Sequence, residues 1–276
     1  MRVVEHARAK INLALHIMQR RMDGYHELDS VVAFADVGDV LTIESAGKLA
    51  LTLSGPFAKD LSGESDNSVL AAWHALAEIA GIKPVRFHLE KNLPIASGIG
   101  GGSADTAASL RGLIKFFGLA IRDQELNQIA LKLGADVPVC LASTICRMRG
   151  IGEIIEPFTA KFPKAIVLVN PLLPCPTANV FAALALTPGQ AFGDPIKNLG
   201  DIDAWRNDLT PAAIKTLPEI AAVLASLQSQ ATVTTTRMSG SGATCFGLTN
   251  SVENAELTAA NIRTEHPNWW VAATTI

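Results

Sequence analysis

No two cysteines in this chain form a CxxC pair and no histidines recur as HxxxH, so zinc-ribbon, redox-disulfide and helical metal-site readings have nothing to rest on. The four cysteines, Cys140, Cys146, Cys175 and Cys245, sit among apolar or small residues, which predicts reduced thiols in a cytoplasm and no protein-held metal. Charged residues make up only 18% of the sequence, but no apolar run approaches the ~20 residues needed to span a bilayer. The first residues, MRVVEHARAKINLALHI, alternate with period two and lack the apolar block of a signal peptide. Basic residues are scattered and the net charge is −3, so no surface for nucleic acid or an anionic membrane is indicated. Repeats and low-complexity tracts are missing as well. Tyrosine occurs once, as Tyr25.

What is present is core-forming material: 49% of the 276 residues are hydrophobic, enough for one large domain or two modest ones. Ala9, Ile11, Leu13, Leu15 and Ile17 alternate and predict a strand. Leu28 to Phe34 predicts a second, which passes through the turn-rich DVGD (36–39) to Val40–Ile43; Leu49, Leu51 and Leu53 are expected to pair with it as a hairpin. Asp66 is the expected cap of a helix carrying Val69, Leu70, Trp73, Leu76 and Ala77 and ending at Gly81. Val85, Phe87 and Leu89 form the strand that leads into PIASGIGGGSADTAASL. Beyond it, Ala107, Leu110, Ile114 and Phe117 form a helical stripe, and Asp123 is the expected cap of a further helix closed by Gly134. From about residue 155 prolines punctuate short strands such as AIVLV. Helices are expected near 178–185, 219–228 and 253–263, then a last strand, WWVAATTI. The pattern predicts an α+β chain of two domains, 1–155 and 156–276.

The glycine stretch joins a strand to a helix start. The first amides of a helix lack partners and its dipole makes that end electropositive. Glycines just before it let the backbone approach a ligand and aim several N–H groups at one point, which makes a cradle for phosphate. Ser103 stands where a hydroxyl caps the helix or meets a phosphate or its metal ion, and Asp105 falls in the first turn, within reach of a nucleotide. Read alone, the stretch is also a plain flexible connection. It is not a Walker A loop, since no lysine falls between Lys91 and Lys115. Nor is it a dinucleotide fingerprint, because Ser103 stands where the last glycine of GxGxxG belongs.

Lys10, Asn12 and His16 share the strand face opposite the apolar row; Lys10 and Asn12 stand roughly 6.5–7 Å apart along it, near enough to reach one ligand. The plainer reading of that face is a solvated one. Asp136, in GADVPV, is either a turn residue or, beside Lys10, the carboxylate that takes a hydroxyl proton while the ammonium stabilises negative charge in phosphoryl transfer. GYHEL (24–28) sets an aromatic ring beside an imidazole; Tyr25 is equally a packing residue and His26 equally a buried, hydrogen-bonded one.

AKINLALHI, RRMDGYHEL, LPIASGIGGGSADTAA, GADVPV and MSGSGATCF, in that order, resemble the galactokinase–homoserine kinase–mevalonate kinase–phosphomevalonate kinase superfamily, and GYHEL with GGGSAD resembles its cytidine-recognising branch. The resemblance implies transfer of the γ-phosphoryl group of ATP, with Mg²⁺, to the 2-hydroxyl of 4-diphosphocytidyl-2-C-methyl-D-erythritol, a step in non-mevalonate isoprenoid precursor synthesis. It implies an N-terminal domain like the second domain of ribosomal protein S5, a ferredoxin-like C-terminal domain, and a site in the cleft between them. By the same resemblance Lys10 and Asp136 are the catalytic pair. Pro94, Ile95, Ala96, Ser97, Gly98, Ile99, Gly100, Gly101, Gly102, Ser103 and Ala104 form the ATP loop, with Asn67 near the adenine and Asp105 beside it. Asn12, Tyr25, His26 and Phe181 match substrate contacts, Tyr25 and Phe181 on the two faces of cytosine and His26 on its polar edge. Ser239, Gly240, Ser241 and Gly242, followed by Ala243, match the motif that closes over the phosphates. Ser97 and Ile99 depart from the usual loop residues but keep the glycine spacing, and Asp105 stands where some relatives carry Asn. A sister kinase for homoserine, mevalonate or a sugar, and a non-catalytic ligand sensor on the same scaffold, are the rival readings.

Overall fold

The computed structural model describes residues 1–61, 67–159 and 161–276. In chain order its elements begin with strands β1 (Arg2–Arg20), β2 (His26–Ser45) and β3 (Ala50–Ser54), helix α1 (Ser68–Ala80) and strand β4 (Val85–Glu90). Helices α2 (Gly101–Phe117), α3 (Asp123–Leu133) and α4 (Val137–Ala142) follow, then strands β5 (Cys146–Gly150), β6 (Ile154–Pro157) and β7 (Ala165–Asn170). Helices α5 (Thr177–Ala183), α6 (Thr210–Thr216) and α7 (Glu219–Gln228) precede β8 (Val233–Met238) and β9 (Cys245–Thr249), and α8 (Val252–Glu265) and β10 (Trp270–Thr275) complete the chain.

The contacts gather into two compact units. The first comprises Met1–Ala9, Gly38–Ile95 and Gly100–Ser143, the second Lys10–Val37, Ala96–Ile99 and Thr144–Ile276. In the first unit the later half of β2 pairs antiparallel with β4 from Val40↔Glu90 to Ser45↔Val85. β3 lies on the other side of β4 and runs parallel to it, Ala50↔Arg86 to Ser54↔Glu90. The hairpin expected between Val40–Ile43 and Leu49–Leu53 therefore does not form. β4 takes the place of β3 beside β2, and the long connection through α1 supplies the crossover that a parallel pair requires.

DVGD is likewise no turn: β2 runs straight through it. A Cβ at Gly38 would lie 2.4 Å from the Ala7 carbonyl oxygen, so glycine is there to let two backbones meet, not to reverse the chain. The Asp66 cap lies outside the described residues. Asn67 holds the N-cap position of α1, its side-chain oxygen accepting from the Val69 amide at 2.9 Å, and Gly81 closes the helix in the left-handed region. Asp123 is the first helical residue of α3 and Arg122 precedes it as the cap, so the carboxylate acts on the helix dipole without capping. Glu5, buried on β1, accepts from Arg111 at 3.0 Å and Lys115 at 2.6 Å, fastening α2 to the start of the chain.

In the second unit the early half of β2 pairs with β5, Leu28↔Gly150 to Val32↔Cys146, and β5 with β6. A separate antiparallel sheet has the order β10-β7-β9-β8. Counted along the chain these four strands stand in the order 4-1-3-2, with helices after the first and third, which is the ferredoxin-like arrangement. Val167, Val169 and Cys245 of this sheet pack with Ile220, Val223, Leu227, Ala255, Ala259 and Ile262 of its helices in one buried cluster. The apolar row of β1 is fully or almost fully buried from Ala9 to Ile17, as its alternation predicts. Among the described residues no helix is long and apolar enough to cross a membrane.

Candidate active site

The glycine stretch delivers a helix tip. Gly100 is the N-cap residue of α2 at φ 64°, with no side-chain cap. The first helical hydrogen bond runs from the Ala104 amide to the Gly100 carbonyl at 2.8 Å, which leaves the amides of Gly101, Gly102 and Ser103 without acceptors in the helix. Ser103 is the third helical residue and not the cap, so its hydroxyl is not spent on the helix end.

Three segments of the second unit meet at one hydroxyl. Ser239 Oγ accepts from the Asn12 amide at 3.1 Å and donates to the Gly98 carbonyl at 3.0 Å, joining β1, the glycine loop and the third motif. The Thr244 amide donates to the Ser97 carbonyl at 3.0 Å, and the Lys10 amide to the Ile99 carbonyl at 2.9 Å. The fit demands glycine: at Gly98, with φ +75°, a Cβ would stand 2.5 Å from the Gly242 carbonyl oxygen and 2.7 Å from that of Ser239. Ser239 is fully buried, and Ser241 Oγ lies 2.8 Å from Thr177 Oγ1, so both serines of the expected ligand-closing motif are tied to the protein. Asn207 braces the motif from behind, donating to the Met238 and Gly240 carbonyls at 2.8 Å each and accepting from the Leu209 amide.

The polar face of β1 is not solvated. Lys10, Asn12 and His16 are 5%, 1% and 2% exposed. His16 Nε2 accepts from the Arg206 amide at 3.3 Å, so Nδ1 carries the proton donated to the Asp194 carbonyl. Burial lowers the His16 pKa and favours this neutral form. Near Lys10, burial pushes the Cys146 thiol up to about 11, against the pull of the ammonium. Asn12 Nδ2 donates to Ser30 Oγ at 2.8 Å.

The residues expected at a cytosine divide. His26 and Phe181 come together, ring centroids 4.8 Å apart and planes tilted by 39°. Burial, then the charge of Arg20, holds the His26 pKa below its ordinary value, and its Nε2 is buried with no partner among the described residues. Tyr25, by contrast, is 59% exposed, which removes the reading of it as a packing residue.

In the first unit Asp136 is half-buried in the position just before α4, where its carbonyl accepts from the Cys140 amide at 3.1 Å. Asn67, expected near an adenine, spends its side-chain oxygen on capping α1. Asp105, expected within reach of a nucleotide, points inward: it is 2% exposed and its Oδ2 accepts from Lys91 Nζ at 2.7 Å. Lys91 also donates to Asp39 Oδ2 at 2.5 Å, and Asp39 Oδ1 accepts from the Asn92 and Leu93 amides. One ammonium thus serves two buried carboxylates. Burial, the largest effect, raises the Asp105 pKa; Lys91 lowers it, Asp39 raises it again, and the balance lies at about 8. For Lys91 burial works against the charge, but Asp105 and Asp39 together raise its pKa. A Cβ at Gly101 would come within 3.2 Å of Lys91 Nζ, so this trio lies directly beneath the helix tip.

Ser30 and Lys91 are the functional candidates that sequence reasoning missed, and Asn207 belongs to the NDL stretch, 207–209, whose role the sequence leaves open between a helix start and something more. Asn207 stands in a plain NDL triplet and Lys91 opens an ordinary KNLP, and neither has a periodicity or spacing that marks it.

Comparison with known proteins follows the same lines. Residues 67–144 match the GHMP kinases N terminal domain and residues 181–268 the GHMP kinases C terminal family. A protein of Bradyrhizobium sp. strain BTAi1 named 4-diphosphocytidyl-2-C-methyl-D-erythritol kinase is 45% identical over 289 aligned positions, covering 99% of this chain and 96% of its own. One of the same name from Rhizobium leguminosarum bv. trifolii strain WSM2304 is 49% identical, covering 99% and 94%. A crystal structure of 4-(cytidine 5'-diphospho)-2C-methyl-D-erythritol kinase superposes with TM-score 0.82 at 30% identity, covering 99% of this chain and all of that one. The fold and the helix-tip loop therefore define a GHMP kinase, and within that class the chain belongs to the 4-diphosphocytidyl-2-C-methyl-D-erythritol kinase family.

Proposed function

We propose that the chain transfers the γ-phosphoryl group of ATP to the 2-hydroxyl of 4-diphosphocytidyl-2-C-methyl-D-erythritol, in the non-mevalonate route to isoprenoid precursors. What carries this reading is the union of two features in one unit: a glycine loop locked to β1 through Ser239, and the His26–Phe181 ring pair with an unpartnered imidazole nitrogen. Nothing in a small acyclic acceptor such as homoserine calls for a ring pair; a cytosine does.

In this reading the triphosphate binds the orphan amides of Gly101, Gly102 and Ser103, with Pro94–Gly100 and Ala104 shaping the loop. Phe181 and the exposed Tyr25 take the cytosine faces and His26 its polar edge. Lys10 stabilises charge on the transferred group, Asp136 receives the proton of the attacking hydroxyl, and transfer is direct, with no phosphoenzyme. Asp105 acts on the loop from below. Asn67 lies on the adenine side, while Ser239, Gly240, Ser241 and Gly242 form the closing segment.

Mg²⁺ asks for few protein oxygens beside those of the phosphates, and the Ser103 hydroxyl, not used as a cap, fits that demand. The ion would neutralise phosphate charge there. Two domains, 1–155 and 156–276, are the division we favour, since the two family matches fall on either side of it. Four buried cysteines, none of them in a disulfide, support a cytoplasmic setting.

The test is a panel of acceptors with γ-labelled ATP. Label should pass to the cytidine-linked polyol at least about a hundredfold faster, per kcat/KM, than to homoserine, mevalonate or galactose. Equal or preferred labelling of one of the others would replace the substrate, and no labelling of any acceptor would leave a ligand sensor.

A further inference from the structure

The hydrogen bonds around Ser30 settle which way the Asn12 amide faces. Ser30 Oγ lies 2.5 Å from the Ala14 carbonyl oxygen, which has no proton to give, so the single hydroxyl proton of Ser30 is committed to that carbonyl. Ser30 Oγ can then only accept from its other neighbour, the Asn12 side chain, 2.8 Å away. The amide must turn its NH₂ toward Ser30 and its carbonyl oxygen the opposite way. That oxygen, Asn12 Oδ1, is buried and has no donor among the described residues, on a side chain that is itself 1% exposed. A buried amide oxygen without a donor is costly and rare. The same strand face carries Lys10 two residues away, and the Asn12 amide nitrogen is bound to Ser239 at the junction with the glycine loop.

We propose that Ser30 is a positioning residue for the acceptor substrate: by fixing the Asn12 amide it presents a bare carbonyl oxygen at the site, so that the group bound opposite Asn12 has to be a hydrogen-bond donor. This rests on the function proposed above and sharpens it. The reacting 2-hydroxyl has one proton, which passes to Asp136, so it has none for Asn12. The donor is then a neighbouring free hydroxyl of the same polyol, at carbon 1 or carbon 3. Fluorine or hydrogen at that position gives Oδ1 nothing to accept, whereas a hydroxyl satisfies it. Ser30 touches no ligand in this scheme and acts only through Asn12.

The experiment combines Ser30→Ala with substrate analogues lacking the 1-hydroxyl or the 3-hydroxyl. Ser30→Ala should lower kcat/KM for the full substrate by about tenfold, through loss of one oriented hydrogen bond, with the KM for ATP within twofold of wild type. One of the two deoxy analogues should lose a similar factor with the wild-type enzyme and almost none with Ser30→Ala, because variant and analogue remove the same interaction. Side-chain amide NMR gives a second readout independent of turnover. The Asn12 NH₂ should show one proton held by Ser30 and slow to exchange, and Ser30→Ala should abolish the difference. Unchanged kinetics in Ser30→Ala, additive losses with both analogues, or an Asn12 amide indifferent to Ser30 would each overturn the proposal. If the wild-type enzyme phosphorylates no cytidine-linked polyol, the substrate assignment fails by itself, and the amide spectrum still decides whether Ser30 orients Asn12.

Discussion

Replacing Lys91 by methionine should cost more than any other single change beneath the helix tip. The ammonium stands 2.5 Å from one carboxylate and 2.7 Å from another, and the side chains of Lys91, Asp39 and Asp105 are 3%, 0% and 2% exposed. Methionine fills the space but leaves Asp39 with its two backbone amides and Asp105 without its ammonium donor. Removing one partner of a buried ion pair typically costs about 3–5 kcal/mol. In a chain of this size each kcal/mol moves the thermal midpoint by about 2–4 °C, so the expected fall is about 6–20 °C. Asp105→Asn should be nearly neutral below about pH 8, within about 1 kcal/mol, because the carboxyl is protonated there and the amide oxygen keeps an acceptor for Lys91. At pH 9, above the Asp105 pKa of about 8, the double variant should then recover about 0.5–3 kcal/mol of the loss.

The pH dependence has a definite sign. Asp105 is pushed up to about 8, so between the ordinary carboxyl range and about pH 8 the folded chain holds a proton that the unfolded chain has released. That contribution to stability is complete below the ordinary range and is lost as pH rises through about 8. Asp105→Asn should flatten this slope, and the penalty of Lys91→Met should grow from pH 6 to pH 9. Scanning calorimetry of the four proteins at several pH values checks all of this. A loss below about 1 kcal/mol for Lys91→Met, or strict additivity with Asp105→Asn, would refute the reasoning.

Two further outcomes follow from the geometry. Gly98→Ala, which drives a methyl toward the Gly242 and Ser239 carbonyls at a left-handed φ, should lower kcat/KM for ATP by at least about a hundredfold; circular dichroism separates this from unfolding, and near-normal ATP kinetics would contradict the packing described. Phe181→Ala should raise KM for the cytidine substrate by about tenfold, the worth of one aromatic contact, with KM for ATP unchanged; an equal effect on both would detach the ring pair from cytosine.

Much of the fold was legible because its signals are local. The alternation of Ala9 to Ile17, the helical stripe ahead of Gly118 and the left-handed Gly81 and Gly118 closures are written in short windows of residues, and each element stands where the pattern puts it. What failed was pairing. Leu49 to Leu53 alternates as well for a parallel partner as for an antiparallel one, and only the later β4 decides between them. DVGD has turn composition, but Gly38 answers to Ala7 across the sheet, a contact 31 positions distant that no local window contains.

The site divides along the same line. The glycine loop and GYHEL are contiguous and readable, whereas their support comes from afar: Ser30 reaches Asn12, Asn207 reaches Gly240, and Lys91 serves both Asp39 and Asp105. The polar face of β1 was ambiguous for a related reason. Period two separates the two faces of a strand but does not say whether the second is covered, and here Arg206 and Asp194 cover His16.

The most direct test of phosphoryl transfer by this chain is Asp136→Asn, followed in single turnovers with γ-labelled ATP and the cytidine-linked polyol. Nucleotide affinity should stay within twofold of wild type while transfer slows by about 10²–10⁴-fold, the usual worth of a positioned base. Transfer at close to the wild-type rate, with nucleotide bound as before, would contradict the account.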